Sequence, residues 1–158
     1  MNKCYILVGV PGSGKTTWVG HQSFNYDYTV YVSTDMYVEK YAAAVGKTYT
    51  EVFKDYMPLA INDMMDSVLD AFENRYDVIW DQTSTSVATR AKKLRLVPKG
   101  YEKIAVVFET PNPETHRRRL DRPGKEIPNE IVQDMIARFE MPTVEEGFDK
   151  VVVVKAKV

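Results

Sequence analysis

Residues Gly9-Val-Pro-Gly-Ser-Gly-Lys-Thr16 set three glycines, a lysine and a hydroxyl in the spacing G-x-x-x-x-G-K-[ST]. Glycine lets the chain curl until successive backbone N–H groups point into one small concavity, which suits a phosphate anion. In such a loop Lys15 reaches the β- and γ-phosphates of a nucleotide and the Thr16 hydroxyl ligates Mg2+. The helix that follows adds the positive potential of its N-terminus. Gly12, Ser13, Gly14, Lys15, Thr16 and Thr17 are therefore the candidate nucleotide-binding residues. A dinucleotide fingerprint does not fit, because Gly12-Ser-Gly14-Lys-Thr-Thr17 lacks the third glycine.

GTPases, motors, transporters and small-molecule kinases share this loop. The chain has no Asn-Lys-x-Asp for guanine and no transporter signature loop, and 158 residues are too few for a motor. Transfer of a nucleotide's γ-phosphoryl to an acceptor hydroxyl is what remains. That reaction needs a group to deprotonate or orient the hydroxyl, an acid near the metal, and cations over the phosphates. Asp35 follows the apolar run Thr29–Val32 and opens a helical pattern over Met36–Val45. Thr34 or Asp35 could simply cap that helix, but a carboxylate at the C-terminal end of a parallel strand faces the cleft, where a general base is the better use. Asp81 ends Val78-Ile-Trp-Asp81 and either forms the turn Asp81-Gln-Thr-Ser84 or holds Mg2+ or its water shell. His116-Arg-Arg-Arg-Leu-Asp-Arg-Pro-Gly-Lys125 reads either as a solvated basic surface or as a mobile lid that clamps the phosphoryl oxygens. Arg118 and Arg122 share a helix face if the helix persists that far; His116 is expected to be only part of that helix.

Elements must bring these groups together. Five apolar runs, Cys4–Val8, Thr29–Val32, Val78–Trp80, Ile104–Phe108 and Val151–Val154, are continuous rather than alternating, which predicts parallel strands buried on both faces between helices. The fold class is α/β. Helical patterns fall at Trp18–Ser23, Met36–Val45, Tyr49–Asn74 and Ser86–Val97, with a break or kink near Met57 demanded by Pro58. Pro128 fits the first turn of a helix through Ile131, Met135, Ile136 and Phe139 that Met141-Pro142 ends. Trp18, Trp80 and Cys4 read as core. No repeat or linker interrupts the chain, so one domain over residues 1–158 is expected, with a lid at about 116–127.

The composition, 44% hydrophobic and 27% charged, suits one globular domain with a real core. Lys+Arg 21 against Asp+Glu 22 excludes a uniformly basic nucleic-acid coat or an acidic tail protein, so anion binding has to be local. Residues 90 to 125 carry a net +7 and the rest −8; Arg90–Lys99 is either a surface helix with scattered lysines or a track for a nucleic-acid backbone. The single cysteine and the lack of zinc-ligand spacing point to a reducing, cytoplasmic setting and a metal-free scaffold. No apolar run approaches the ~18 residues of a membrane span, so no membrane partner is expected.

Pro11-Gly-Ser-Gly-Lys-Thr-Thr-Trp18, Ser33-Thr-Asp35-Met-Tyr37, Asp81-Gln-Thr83 and Arg118/Arg122 ahead of Pro128 together resemble the kinase domain of bacteriophage polynucleotide 5′-hydroxyl kinases, collinearly over nearly the whole chain. The resemblance implies an adenylate-kinase-like P-loop NTPase, a three-layer sandwich on a parallel sheet of four or five strands. It implies ATP with Mg2+ as donor, a nucleic-acid hydroxyl as acceptor (DNA ahead of RNA), and the host cytoplasm for a phage-encoded protein. Carried over by residue, it assigns Lys15 and Thr16 to the phosphates and Mg2+, Asp35 to the general base, Asp81 and Thr83 to the acceptor, Asp81 also to the metal, Arg122 to the transferring phosphate, and Arg118 to the lid beside it.

Two departures stand out. Those kinases usually carry an Arg three residues after the catalytic Asp, gripping the acceptor's phosphate, where this chain has Val38; and the phosphatase domain often fused to them is not expected within 158 residues. The scaffold is also similar to phage kinases of the hydroxymethyl group on a modified pyrimidine, 5-hydroxymethyluracil, in DNA, which need no strand-end grip. Zeta-toxin-like and other small-molecule kinases are a third option, and a non-catalytic nucleotide-binding regulator would not need Asp35 and Arg122 together. Helix spacing sets Val38 about one turn after Asp35, beside the attacking hydroxyl, which leaves the acceptor to be held by Arg90–Lys99 or by stacking on Tyr37 and Tyr41.

Overall fold

The continuous apolar runs are the strands of the computed structural model, which describes residues 1–156, and they form the middle layer of a three-layer α/β sandwich. The strands are β1 (Asn2–Val8), β2 (Thr29–Val32), β3 (Asp77–Asp81), β4 (Tyr101–Phe108) and β5 (Lys150–Val154), all parallel, in the order β2-β3-β1-β4-β5. The helices are α1 (Lys15–His21), α2 (Thr34–Val45), α3 (Tyr49–Glu73), α4 (Val87–Leu96), α5 (Pro113–Leu120) and α6 (Asn129–Ala137). From β1 the chain crosses to β2 and β3 on one side and later to β4 on the other, so the strand order reverses beside β1 and a crevice opens there at the C-terminal edge. Register aligns Leu7 with Asp81 and Val32 with Trp80, which delivers the loop after β1, Asp81 and the start of α2 to that one edge.

The two faces of the sheet bury separate clusters. Cys4, Ile6, Val8, Val78 and Trp80 pack with Val68 and Phe72 of α3 on one face; Leu7, Ile79 and Val106 pack with Val19 of α1 on the other. Burial pushes the Cys4 thiol up to about 12. Trp18, expected in the core, is only half-buried, edge-on to Phe24 and Phe108. The run Val151–Val154 departs from the both-faces reading: β5 is an edge strand and leaves Val152 and Val153 exposed.

Three helical expectations change. Pro58 does not break α3, which runs uninterrupted for 25 residues. Its ring is exposed, so water can meet the carbonyl that loses its partner, and the ~3 kcal/mol cost of an interior proline is offset by Val52, Ala60, Met64 and Val68 packing beneath it. Val38 does not face the cleft; it is fully buried between α2 and α3 with Ala42, Val52 and Ala60. Tyr37 bonds Ser67 of α3 through its hydroxyl at 2.6 Å, and Tyr41 stacks on Tyr56 with centroids 4.1 Å apart. Both rings are therefore engaged within the α2–α3 hairpin.

Arg90 is the plainest correction. It is completely buried, donating to both carboxylate oxygens of Glu146 at 2.8 and 3.1 Å and to the Ser84 carbonyl at 2.8 Å. It belongs to the core and cannot track a nucleic-acid backbone, which leaves Lys92, Arg95 and Lys99 as the exposed cations of that stretch. Removing one partner of a buried pair strands the other charge, so Arg90→Ala is expected to lose about 3–5 kcal/mol. Lys92→Ala should stay within ~0.5 kcal/mol of the parent. Urea denaturation midpoints of the two variants check this.

Candidate functional site

The chain leaves β1 in a turn where Gly12 (φ 78°) and Gly14 (φ 101°) adopt left-handed backbone. A Cβ at Gly12 would be strained by that φ and would meet His116 and Leu120 at 3.1 Å, so the close approach to α5 requires glycine. The turn is tied on two sides. The Gly9 N–H donates to the Thr83 carbonyl at 2.9 Å. Nε2 of buried His116 donates to the Pro11 carbonyl at 2.7 Å. His116, expected to be an ordinary helix residue, thus holds the loop; Thr83, expected at the acceptor, gives its main chain to the loop and lines neither cavity described below.

Lys15 folds back over the turn, its Nζ donating to the Gly9 and Val10 carbonyls at 2.9 and 3.1 Å. Burial lowers the pKa of this ammonium, with Asp81 and Asp35 pulling it back up; a phosphate in the loop would supply a closer counter-charge. Across the cleft, Asp81 Oδ2 accepts from the Tyr31 hydroxyl and, at 3.3 Å, from the Thr16 hydroxyl. Burial raises the Asp81 pKa although Tyr31, Lys15 and Thr16 all oppose it. The Tyr31 phenol is raised too, by burial first and then by Asp81, so it stays a donor. A hydroxyl and a carboxylate side by side are donors that fit Mg2+, which takes one or two protein oxygens beside substrate phosphates and water. Among the described residues no group of three or more His, Cys, Asp or Glu could hold a metal by itself, so Thr16 and Asp81 could hold one only together with a nucleotide.

Asp35 is the second residue of α2, whose N-cap is Ser33 and has no side-chain cap bond. The carboxylate instead points across to α3 and the segment after α5. Its Oδ1 accepts from the Tyr49 hydroxyl at 2.6 Å, and its Oδ2 lies 3.5 Å from Lys125 Nζ. Lys125 bonds Glu39 more closely, at 2.6 Å, and sits 4.8 Å above the Tyr49 ring.

The arginine run divides where α5 stops at Leu120, so Arg118 and Arg122 do not share a helix face. Arg119 turns inward, its Nη1 3.4 Å from the Gly12 carbonyl, and Arg122 Nε donates to the Arg119 carbonyl at 3.1 Å. Arg118 is 70% exposed and pairs with Glu114 one turn back. A cavity of about 480 Å³ is lined by Lys15, Thr16, Asp35, Asp81, Arg119, Arg122 and Lys125, among others. A second, of about 550 Å³, lies on the far side of the loop against Trp18, His21, Phe108 and Arg118, and shares Gly12, Gly14, Thr17, Arg119 and Arg122 with the first. Sequence reasoning had not singled out Arg119, Lys125, Glu39, Tyr31 or Tyr49. The first two lay inside the basic run already marked, and the others carried no local signal because their roles depend on packing across elements.

A parallel five-stranded sheet with a glycine-rich loop after β1 and cations arriving from α5 is the P-loop kinase fold. Residues 5–142 match the AAA domain family AAA_33, and the chain belongs to it. It is 25% identical over 150 residues to an L-seryl-tRNA(Sec) kinase of Methanococcus maripaludis, covering 91% of this chain and 55% of that protein. Its fold is similar to a chain in the Pnkp1/Rnl/Hen1 RNA repair complex (TM-score 0.65, 24% identity, 87% of this chain and 43% of that one). A Chloroflexus aurantiacus protein is similar as well (TM-score 0.70, 14% identity, 98% and 88%). The chain spans about half the length of the first two.

The raised pKa of Asp81 carries a stability consequence. The folded carboxyl keeps its proton to higher pH than the unfolded one, so stability falls as pH rises from the ordinary carboxylate value through the folded one, and the loss persists above it. Asp81→Asn should therefore raise the urea midpoint at pH 7, with an advantage that shrinks as the pH is lowered through the folded value toward the ordinary carboxylate value and is gone below about 4.

Proposed function

We propose that this chain transfers the γ-phosphoryl of ATP to a hydroxyl of a nucleic acid, in the manner of a polynucleotide 5′-hydroxyl kinase, with residues 116–127 as its lid. The observation that carries the reading is the convergence of Lys15, Thr16, Asp81, Asp35, Arg119 and Arg122 on one cavity. The phosphates lie in the loop, where Lys15 exchanges two carbonyl partners for phosphate oxygens, and the nucleobase enters the second cavity beside Trp18 and Arg118. Mg2+ fits the Thr16 hydroxyl and the Asp81 carboxylate, directly or through water, and neutralises phosphate charge there. The acceptor oxygen attacks the γ-phosphorus, its proton passes to Asp35, and the bond to the β–γ bridging oxygen breaks to release ADP. Arg119 and Arg122 meet the charge that develops on the moving phosphoryl. A nucleic-acid acceptor is supported by the likeness to a seryl-tRNA kinase and by the exposed cations Lys92, Arg95, Lys99 and Arg117.

A second reading, phosphorylation of the hydroxymethyl group of 5-hydroxymethyluracil in DNA, is favoured by one observation. The residues of α2 that line the cavity are Asp35, Met36 and Glu39, with Val38 buried, so that helix offers no cation to a strand-end phosphate. Incubation with γ-labelled ATP and separate acceptors decides between them: 5′-hydroxyl DNA, 5′-hydroxyl RNA, duplex DNA containing hydroxymethyluracil, and free nucleosides. Label on free nucleosides as readily as on oligonucleotides, with no dependence of kcat/KM on salt, would overturn the nucleic-acid reading.

Arg122→Ala is expected to lower kcat about 10³-fold or more with a smaller change in the KM for ATP. Lys15→Ala should weaken ATP binding, whereas Asp35→Asn should leave it intact and lower turnover by roughly 10²–10⁴-fold. Steady-state kinetics alongside direct nucleotide binding checks all three.

A further inference from the structure

We propose that Tyr49 is a positioning residue for Asp35: its hydroxyl holds Oδ1 and thereby presents Oδ2 as the oxygen that takes the proton. The proposal rests on the general-base reading of Asp35 given above. A half-exposed carboxylate in the first turn of a helix can rotate, and a general base that rotates spends most of its time misaligned. The Tyr49 hydroxyl, 2.6 Å from Oδ1, removes that freedom. Among the described residues Oδ2 has one hydrogen-bond partner, Lys125 at 3.5 Å, and that ammonium makes its short bond to Glu39 at 2.6 Å. One carboxylate oxygen is thus occupied and the other has room for an incoming hydroxyl.

Tyr49 is itself well anchored. It is the first residue of α3, whose start is set by the reciprocal capping of Thr48 and Glu51. Its ring packs 5.5 Å from Phe53 and lies under the Lys125 ammonium. The next residue, Thr50, donates to the Gly124 carbonyl through its N–H at 3.0 Å and its hydroxyl at 3.2 Å, and that hydroxyl accepts from the Glu126 N–H at 2.8 Å. The first turn of α3 therefore sets the base and docks the segment that follows Arg122. Burial, and then Asp35, raise the Tyr49 phenol above its ordinary value, which keeps it a donor at neutral pH.

The test uses transfer to water, which needs no identified acceptor. The water oxygen bonds the γ-phosphorus, the bond to the β–γ bridging oxygen breaks, and the proton goes to Asp35 Oδ2. Single-turnover hydrolysis of γ-labelled ATP with Mg2+ is followed for the parent chain, Tyr49→Phe, Asp35→Asn and the double variant, with ATP Kd measured for each. Tyr49→Phe keeps the ring beneath Lys125 and removes only the donor. It is expected to slow hydrolysis about tenfold with Kd unchanged within about twofold, and to cost nothing further in the Asp35→Asn background. Equal slowing in both backgrounds, or a Tyr49→Phe rate within about twofold of the parent's while Asp35→Asn is slow, overturns the proposal alone. A parent-like rate in Asp35→Asn overturns the general-base reading, and the proposal with it.

Discussion

An anion-binding loop must keep its shape before the anion arrives, and the left-handed turn at Gly12 and Gly14 meets that requirement through two ties from neighbouring elements. One comes from the Thr83 carbonyl at the end of β3, the other from His116 on α5. The same two ties bring Asp81 and Arg119 to the loop, since each sits within three residues of the group that makes the bond. The Asp81 side and the Arg119 side of the cleft are thus built by the contacts that shape the glycine-rich loop. Preorganised donors of this kind need no rearrangement when charge develops.

Keeping that cradle open leaves charges in poor surroundings. Lys15 is desolvated and bonded only to carbonyls, while Asp81 is buried so deeply that three favourable neighbours fail to bring its pKa down to the ordinary value. Each shift opposes folding at neutral pH, because each marks an ionised form that is less comfortable in the folded chain than in water. Stability lost in this way is recovered on the two apolar faces of the sheet, while buried Arg90 is matched by Glu146, whose carboxylate also accepts from the Thr143 N–H.

The hairpin of α2 and α3 serves the opposite wall. Its inner surface uses Val38, Ala42, Val52 and Ala60 for packing and a Tyr37–Ser67 bond for registry. Only one turn of each helix, Asp35 to Glu39 and Tyr49 to Thr50, reaches the cleft or the segment docked over it. This wall is acidic with one lysine set between two carboxylates, whereas the wall formed by α5 is cationic. Under the proposed reaction, an acceptor entering this cleft meets charge of one sign on its own side and of the other across the transferring phosphoryl.

Local chemistry makes a large part of this legible in the sequence itself. The glycine spacing, the continuous apolar runs and the carboxylates that close two of them establish the strand-to-helix loop, the parallel sheet and the edge at which Asp35 and Asp81 emerge, because strand direction and side-chain period follow from the chain itself. Other assignments needed the third dimension. Arg90 is indistinguishable in sequence from Lys92, yet only one of them points at Glu146, fifty-six residues away. Val38 looks like a cleft residue on a helical wheel until α3 covers that face. Arg119 rather than Arg118 meets the loop because it lies one turn from His116, which bonds Pro11, and Pro58 is tolerated because its side of α3 meets water. In each case the deciding partner lies on another element, and a partner brought near by folding leaves no trace in the spacing of neighbouring residues.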